Sequence, residues 1–355
     1  MKIANRRTPQ ISKDPSSDFS AICADSRLWS LIDEFDIPIS LGHGNSEFLI
    51  GVATSTYQDS GSVHCPNSQW ASWEMKILPL ESRSCSSANL YQLYQSSAGL
   101  YEITKRLQIL GVNSYRFSIE WSQIQPGFNQ YDLKSLDPYI NLCKHLRDHG
   151  IQPMVTLYHF SEPKWFHEMG SFSQKDNIKY FIEFARMIAP YFVQIHQGKP
   201  LVELFCTINE PAVDAFSRYV HGTFSPGESR QFYKAGIFLK NALLAHDSLY
   251  ELLKKLSPTT RVGISHAYLH FESLNLLLCP VARYMNRLLN ETVLRVFKTG
   301  VFELKIPFAC HIVEKGLKFQ TDFVGLQYYA RPLIGFPWLR LVNTNNSIEK
   351  VLPLR

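Results

Sequence analysis

The hexapeptide Cys206-Thr207-Ile208-Asn209-Glu210-Pro211 sets an amide, a carboxyl and a proline directly behind an apolar, β-branched run over residues 201–208. Such a run suits a strand covered on both faces, and the proline stops it. The carboxyl therefore stands at a strand end, which is where (β/α)8 barrels keep residues that move protons. Other polar side chains hold comparable positions. His159 follows the run 152–158, Gln58 follows 48–54, and Tyr328-Tyr329 close the run 322–328. Arg116 lies inside Ser114-Tyr115-Arg116-Phe117-Ser118, where a charge within an apolar strand calls for a buried anionic partner. Glu, His, Asn, Gln, Arg and Tyr converging on one rim would bind polyhydroxyl groups and shift protons between them.

The elements that would position these residues recur along the chain. Strand-like runs at 48–54, 113–119, 152–158, 201–208, 261–266 and 322–328 alternate with helical patterns at 98–107, 136–149, 177–192, 234–256 and 284–299. Alternation of this kind implies parallel strands joined by right-handed crossovers. Successive strand starts from Asn113 are 39, 49, 60 and 61 residues apart, with no break in composition that marks a linker. The expected architecture is α/β, one barrel over residues 47–355, preceded by an N-terminal extension over 1–46 whose role the sequence does not state. A doubly wound open sheet is the competing arrangement, but the chain carries neither G-x-G-x-x-G nor a P-loop.

Composition narrows the function classes. The 355 residues are 45% hydrophobic, enough for a large single core, and carry a formal charge of +5 scattered along the chain. A mild, dispersed excess gives no footprint for nucleic acid or a membrane surface. Seven cysteines show neither a C-x-x-C pair nor metal-ligand spacing, so reduced thiols in a cytoplasmic compartment are expected, with no metal and no cofactor. The charged start is followed by Ser, Asp, Lys and Pro instead of an apolar segment, so no secretory signal is expected.

Seven stretches in order make the chain resemble glycoside hydrolase family 1, the β-glucosidase and 6-phospho-β-glucosidase family. They begin with Phe48-Leu49-Ile50-Gly51-Val52-Ala53-Thr54-Ser55-Thr56-Tyr57-Gln58, Tyr115-Arg116-Phe117-Ser118-Ile119-Glu120-Trp121 and Thr156-Leu157-Tyr158-His159-Phe160. Thr207-Ile208-Asn209-Glu210-Pro211, Gly222-Thr223-Phe224-Ser225-Pro226-Gly227, Ala245-His246 and Asp322-Phe323-Val324-Gly325-Leu326-Gln327-Tyr328-Tyr329 follow. The resemblance implies a (β/α)8 barrel and hydrolysis of small β-glycosides with retention. It makes Glu210 the acid/base, Gln58, His159 and Asn209 the residues that hydrogen-bond sugar hydroxyls, and Arg116 and Tyr329 the pair that orients the nucleophile. Trp165 is a candidate for stacking on a sugar face.

The chain departs from the family pattern in four places. Asp59 stands where the family has a glutamate, Phe160 where tryptophan is common, and Gln327 in place of asparagine. The fourth departure concerns the Thr-Glu-Asn-Gly stretch that carries the family's nucleophile, which does not occur in these 355 residues. Only 26 residues follow Tyr329, and Glu349, the single carboxylate among them, reads as a solvated tail residue. A C-terminally truncated barrel with about six of eight βα units is thus expected, with two exposed strand edges. The function expected is a retaining β-glycosidase whose nucleophile is not found, and the alternative is an inactive sugar-binding or partner-binding pseudoenzyme.

Overall fold

The computed structural model describes residues 48–335, together with the backbone of two further strands, Leu339–Val342 and Lys350–Leu352. The expected extension over 1–46 and the tail residue Glu349 lie outside the described residues.

Six strands form one parallel ladder in chain order: β1 Gly51–Ala53, β2 Ser114–Ser118, β3 Gln152–Tyr158, β4 Leu204–Asn209, β5 Arg261–Leu269 and β6 Phe323–Ile334. The register runs Gly51↔Ser114, Ser114↔Gln152, Met154↔Leu204, Leu204↔Arg261 and Gly263↔Phe323. Helices α1 Ser97–Ile109, α2 Asp137–Asp148, α3 Ile178–Val193, α4 Phe232–Leu256 and α5 Thr292–Thr299 cross over between consecutive strands. Every strand therefore ends on the same side, and their C-terminal residues share one rim. The ladder does not close, since β1 and β6 are not paired with each other.

Burial follows this openness. All six residues of β4 are buried, whereas β1 has no buried residue and β6 only one, Pro332. The core lies over β2–β5, where α3 turns Phe181, Phe184, Ile188 and Phe192 inward. Trp121 sits among Phe166, Phe181 and Phe184 at ring-centroid distances of 4.6, 5.2 and 5.1 Å. Aromatic pairs at these spacings add to the area they remove from water.

Several element boundaries differ from the sequence expectation. The first strand shrinks to Gly51–Ala53, because Ile50 gives its amide to the Asn113 side chain and not to a ladder. Residues 201–203 stay outside β4, and the Leu201 and Val202 amides bond back to Gln194 and Phe192 at the end of α3. The pattern over 284–299 resolves into Cys279–Asn286, a π-turn at Arg287–Glu291 and α5. Strand β6 runs on to Ile334, where its second half pairs with Leu339–Val342 and with Glu272–Ser273. One of the two expected edges is thereby partly covered, and the other is only three residues long.

The β5–β6 pairing depends on a close approach at Gly263. A Cβ placed there would lie 2.2 Å from the Phe323 carbonyl oxygen, a backbone atom that cannot step aside. Gly263→Ala is expected to destabilise the protein by about 1–3 kcal/mol through overpacking. Urea unfolding measures it; an unchanged midpoint would contradict this packing of β6.

Candidate active site

The rim gathers the residues singled out in the sequence. A cavity of about 220 Å³ is lined by Gln58, Arg116, His159, Asn209, Glu210 and Tyr329, together with Ala53, Thr54, Ser55, Phe160 and Gln327. A second cavity of about 270 Å³, around Arg287, Glu303 and Lys305, contains none of the expected site residues. Chemistry and not volume picks out the first.

Glu210 sits at the junction of β4 and the helix Pro211–Tyr219, in the left-handed region at φ 44°, ψ 59°. Proline at the first helical position sets the following turn, and the Glu210 amide donates to the Ser265 carbonyl at 2.8 Å. A left-handed conformation is uncommon for a residue with a Cβ, so the surroundings must hold it. Phe160, two residues past β3, is also left-handed at φ 64°. Both turns are tied to one side chain, Arg218 on the helix that Glu210 starts.

The Arg218 guanidinium is fully buried. It donates to Asp214 Oδ1 at 2.6 Å, Glu162 Oε1 at 2.7 Å, the Tyr158 hydroxyl at 3.0 Å and the Phe160 carbonyl at 3.1 Å. Tyr158 in turn donates to Asp214 Oδ2 at 2.8 Å, and Ser171 donates to Glu162 Oε2 at 2.6 Å. Arg218, His167 and the Ser171 hydroxyl together overcome burial and hold Glu162 down at about 2. Asp214 is shifted upward instead, because burial outweighs its share of Arg218. Glu162, with more donors, is the stronger anchor. The sequence did offer a signal: Asp214 and Arg218 stand at i, i+4 as the two charged residues of a short helix.

Within the cavity, burial sets the protonation states. It pushes the Glu210 carboxyl up to about 7, with Arg116 opposing it. His159 is held down to about 3, by burial first and then by Arg116, so its imidazole is neutral. Its Nδ1 is buried without a partner among the described residues, an open position for a hydroxyl. Gln58 accepts from Ser55 Oγ at 2.7 Å through its Oε1. The Asn209 Oδ1 lies 2.7 Å from Ser265 Oγ and 3.4 Å from Arg116 Nη1. Tyr329 falls at a register shift in β6, between Tyr328 and Ala330, and its exposed phenol is raised by partial burial and by Glu210. A bulge of this kind re-aims a side chain at a rim.

Two expectations need correction. Arg116 has no carboxylate within ion-pairing distance among the described residues; its acceptors are the neutral Asn209 and, at 3.2 Å, Ser265 Oγ. Partial exposure to the cavity takes the place of the buried anion. Trp165 does not stack in the cavity: it packs against Trp121, Phe128 and Tyr180 and donates its Nε1–H to the Gln125 carbonyl. Ser265 was not singled out by sequence reasoning, because a serine within a strand carries no pattern of its own.

The chain matches the family model described as glycosyl hydrolase family 1 over residues 43–275, more than half of its length. It belongs to glycosyl hydrolase family 1. Curated relatives include a 6-phospho-beta-galactosidase of Staphylococcus haemolyticus, 26% identical over 306 residues, and beta-glucosidase A of Thermotoga maritima, 27% identical over 309. These alignments cover 80% and 81% of this chain but 62% and 66% of the relatives, so the chain spans less than two thirds of their lengths. Among solved structures, a beta-glycosidase from Pyrococcus horikoshii superposes with a TM-score of 0.70 at 27% identity, covering 84% of this chain and 67% of that one. The Thermotoga maritima beta-glucosidase in complex with deoxynojirimycin gives 0.67 at 25% identity, covering 81% and 66%. The family barrel is accordingly the fold of this chain, with six of its parallel strands in one open ladder. No described helix is long and apolar enough to cross a membrane.

The buried ion cluster yields a direct test. Arg218→Met removes the buried cation that Glu162 and Asp214 share, and a loss of about 3–5 kcal/mol in urea unfolding at pH 7 is expected. Glu162 adds a sign. Its pKa is depressed in the folded state, so its stabilisation is present above the ordinary carboxylate range and disappears as pH falls towards about 2. An Arg218→Met protein as stable as the parent would remove the cluster from the account.

Proposed function

We propose that the cavity is a glycoside subsite and that Glu210 is the acid/base of retaining β-glycoside hydrolysis, acting on small β-glucosides or related sugars. The observation that carries this reading is a carboxyl at a strand end, pushed up to about 7 by burial, in one cavity with a neutral imidazole, three carboxamides and a guanidinium. A group with that pKa is protonated often enough at neutral pH to donate to a leaving oxygen and ionised often enough to take a proton back. Gln58, His159 and Asn209 supply neutral donors and acceptors for sugar hydroxyls. Arg116 and Tyr329, in the same lining, are assigned the orientation of a second carboxylate. Names of relatives at this distance support both glucoside and 6-phosphogalactoside substrates, and the described cavity lining contains Arg116 as its one cation.

A second reading follows from a specific feature of the cavity. Retention requires two carboxyls about 5–5.5 Å apart, one as proton donor and one as nucleophile. Among the described residues Glu210 is the one carboxylate in the lining. Sugar binding without turnover is the function this arrangement supports if the nucleophile is not supplied.

Two measurements separate the readings: calorimetric binding of the uncleaved analogue phenyl β-thioglucoside, and glucose release from cellobiose. Binding with release supports hydrolysis, and then Glu210→Gln should lower the rate by about 10²–10⁴-fold. Because the acid form of Glu210 is lost as pH rises, the alkaline limb of the rate profile should fall near pH 7. Binding without release supports the second reading, with His159→Ala weakening it by about tenfold through one lost hydrogen bond. Neither binding nor release would contradict both.

A further inference from the structure

The carboxamide of Gln327 stands between the cavity's cation and its acid. It projects from β6 opposite Ala267 and two residues before the bulge at Tyr329, so the same strand that carries the rim tyrosine delivers it. Two orientations of the amide are open. In one, Nε2 donates to Asn209 Oδ1 at 3.0 Å while Oε1 faces the Glu210 carboxyl, acceptor against acceptor. In the other, Oε1 lies 2.8 and 3.1 Å from Arg116 Nη2 and Nη1, and Nε2 donates to Glu210 Oε1. A guanidinium has only donors and an ionised carboxylate only acceptors, so the second orientation satisfies both charged groups at once. It leaves Gln327 Oε1 at 3.0 Å from Asn209 Oδ1, which a turn of the Asn209 amide relieves. That turn gives up only the 3.4 Å contact to Arg116, while Ser265 Oγ changes from donor to acceptor.

We propose that Gln327 is a positioning residue that bridges Arg116 and Glu210 and thereby sets the protonation balance of the acid. The extra methylene that distinguishes it from the family's asparagine is what lets one side chain of β6 reach both groups. Arg116 on β2 gains a neutral acceptor in a site where no carboxylate pairs with it among the described residues. Glu210 gains a donor that favours its ionised form against the burial that favours the neutral one. Among the described residues no other group donates a hydrogen bond to the Glu210 carboxyl. Arg116 acts on it through charge, His159 on β3 is a neutral imidazole, and the Tyr329 phenol on β6 is itself raised by Glu210. Asp214, on the helix that Glu210 begins, is engaged by Arg218 and Tyr158.

The inference extends the glycoside reading of the same cavity, but its test needs no sugar. The full chain is labelled with carboxyl-¹³C glutamate, the Glu210 resonance is assigned by its loss in Glu210→Gln, and its shift is followed from acid to alkaline pH. In Gln327→Met, which keeps the volume and removes both hydrogen bonds, the midpoint should rise by about one pH unit, a tenfold change in the ratio of protonated to ionised Glu210 at fixed pH. Gln327→Asn, one methylene short, should raise it in the same direction. Gln327→Glu should raise it at least as far, because a like charge is then placed beside the acid. Circular dichroism shows which variants are folded, and either Gln327→Met or Gln327→Asn suffices, Gln327→Glu serving as the control that the resonance responds to a neighbouring charge. An unchanged midpoint in folded Gln327→Met or Gln327→Asn overturns the bridge. Failure of phenyl β-thioglucoside to bind the parent chain would instead overturn the glycoside reading and leave the titration result standing.

Discussion

One guanidinium ties two strand ends together, and the site depends on it. Arg218 bonds to Asp214 on its own helix, to Tyr158 at the end of β3 and Glu162 just beyond it, and to the Phe160 carbonyl at the left-handed turn that follows His159. The same helix begins at Glu210, the second left-handed residue. Each turn alone is a costly conformation for a residue with a side chain. Held against one buried cation, the two turns are fixed relative to each other, and the imidazole and the carboxyl face one cavity. The charges that make this anchor are shielded from water, so their mutual geometry is strict where a surface pair would be loose.

The second constraint is the parallel ladder. Because consecutive strands align without reversal, Gln58, Arg116, His159, Asn209, Glu210 and Tyr329, spread over most of the described chain, come to the same rim. Burial then differentiates them. It holds the imidazole neutral and pushes the carboxyl up to about 7, while the arginine faces the cavity with no carboxylate in ion-pairing distance among the described residues. Such separation of protonation states by environment is what acid/base chemistry at neutral pH requires. The open ladder, with β1 of three residues and β6 running past the rim into a further antiparallel pairing, leaves this side of the cavity less enclosed than the β3–β5 side.

Much of this was legible in the sequence. The apolar run ending in Asn209-Glu210-Pro211 marked a strand end, because β-branched residues and a proline have opposite requirements of the backbone. The helical patterns over 98–107, 136–149 and 177–192 recur as α1, α2 and α3 with ends shifted by few residues, since period and caps are local properties. What the sequence did not disclose depends on distant contacts. The bulge at Tyr329, the loss of 201–203 from β4 and the burial of Asp214 and Arg218 are all decided by neighbours far along the chain. Arg116 was expected to carry a buried anion, and its place beside an open cavity removes that need. The reach of Gln327 could not be foreseen, because one methylene matters only when both of its ends have partners.

The central claim is that the carboxyl of Glu210, the imidazole of His159 and the amides of Gln58 and Asn209 form one sugar-binding surface. A crystal structure of the chain soaked with phenyl β-thioglucoside tests it most directly. The account predicts the sugar ring in this cavity, with hydroxyls on Gln58, His159 and Asn209 and the thioglycosidic sulfur beside Glu210. A ring bound elsewhere, or Glu210 turned away from an occupied cavity, would contradict it.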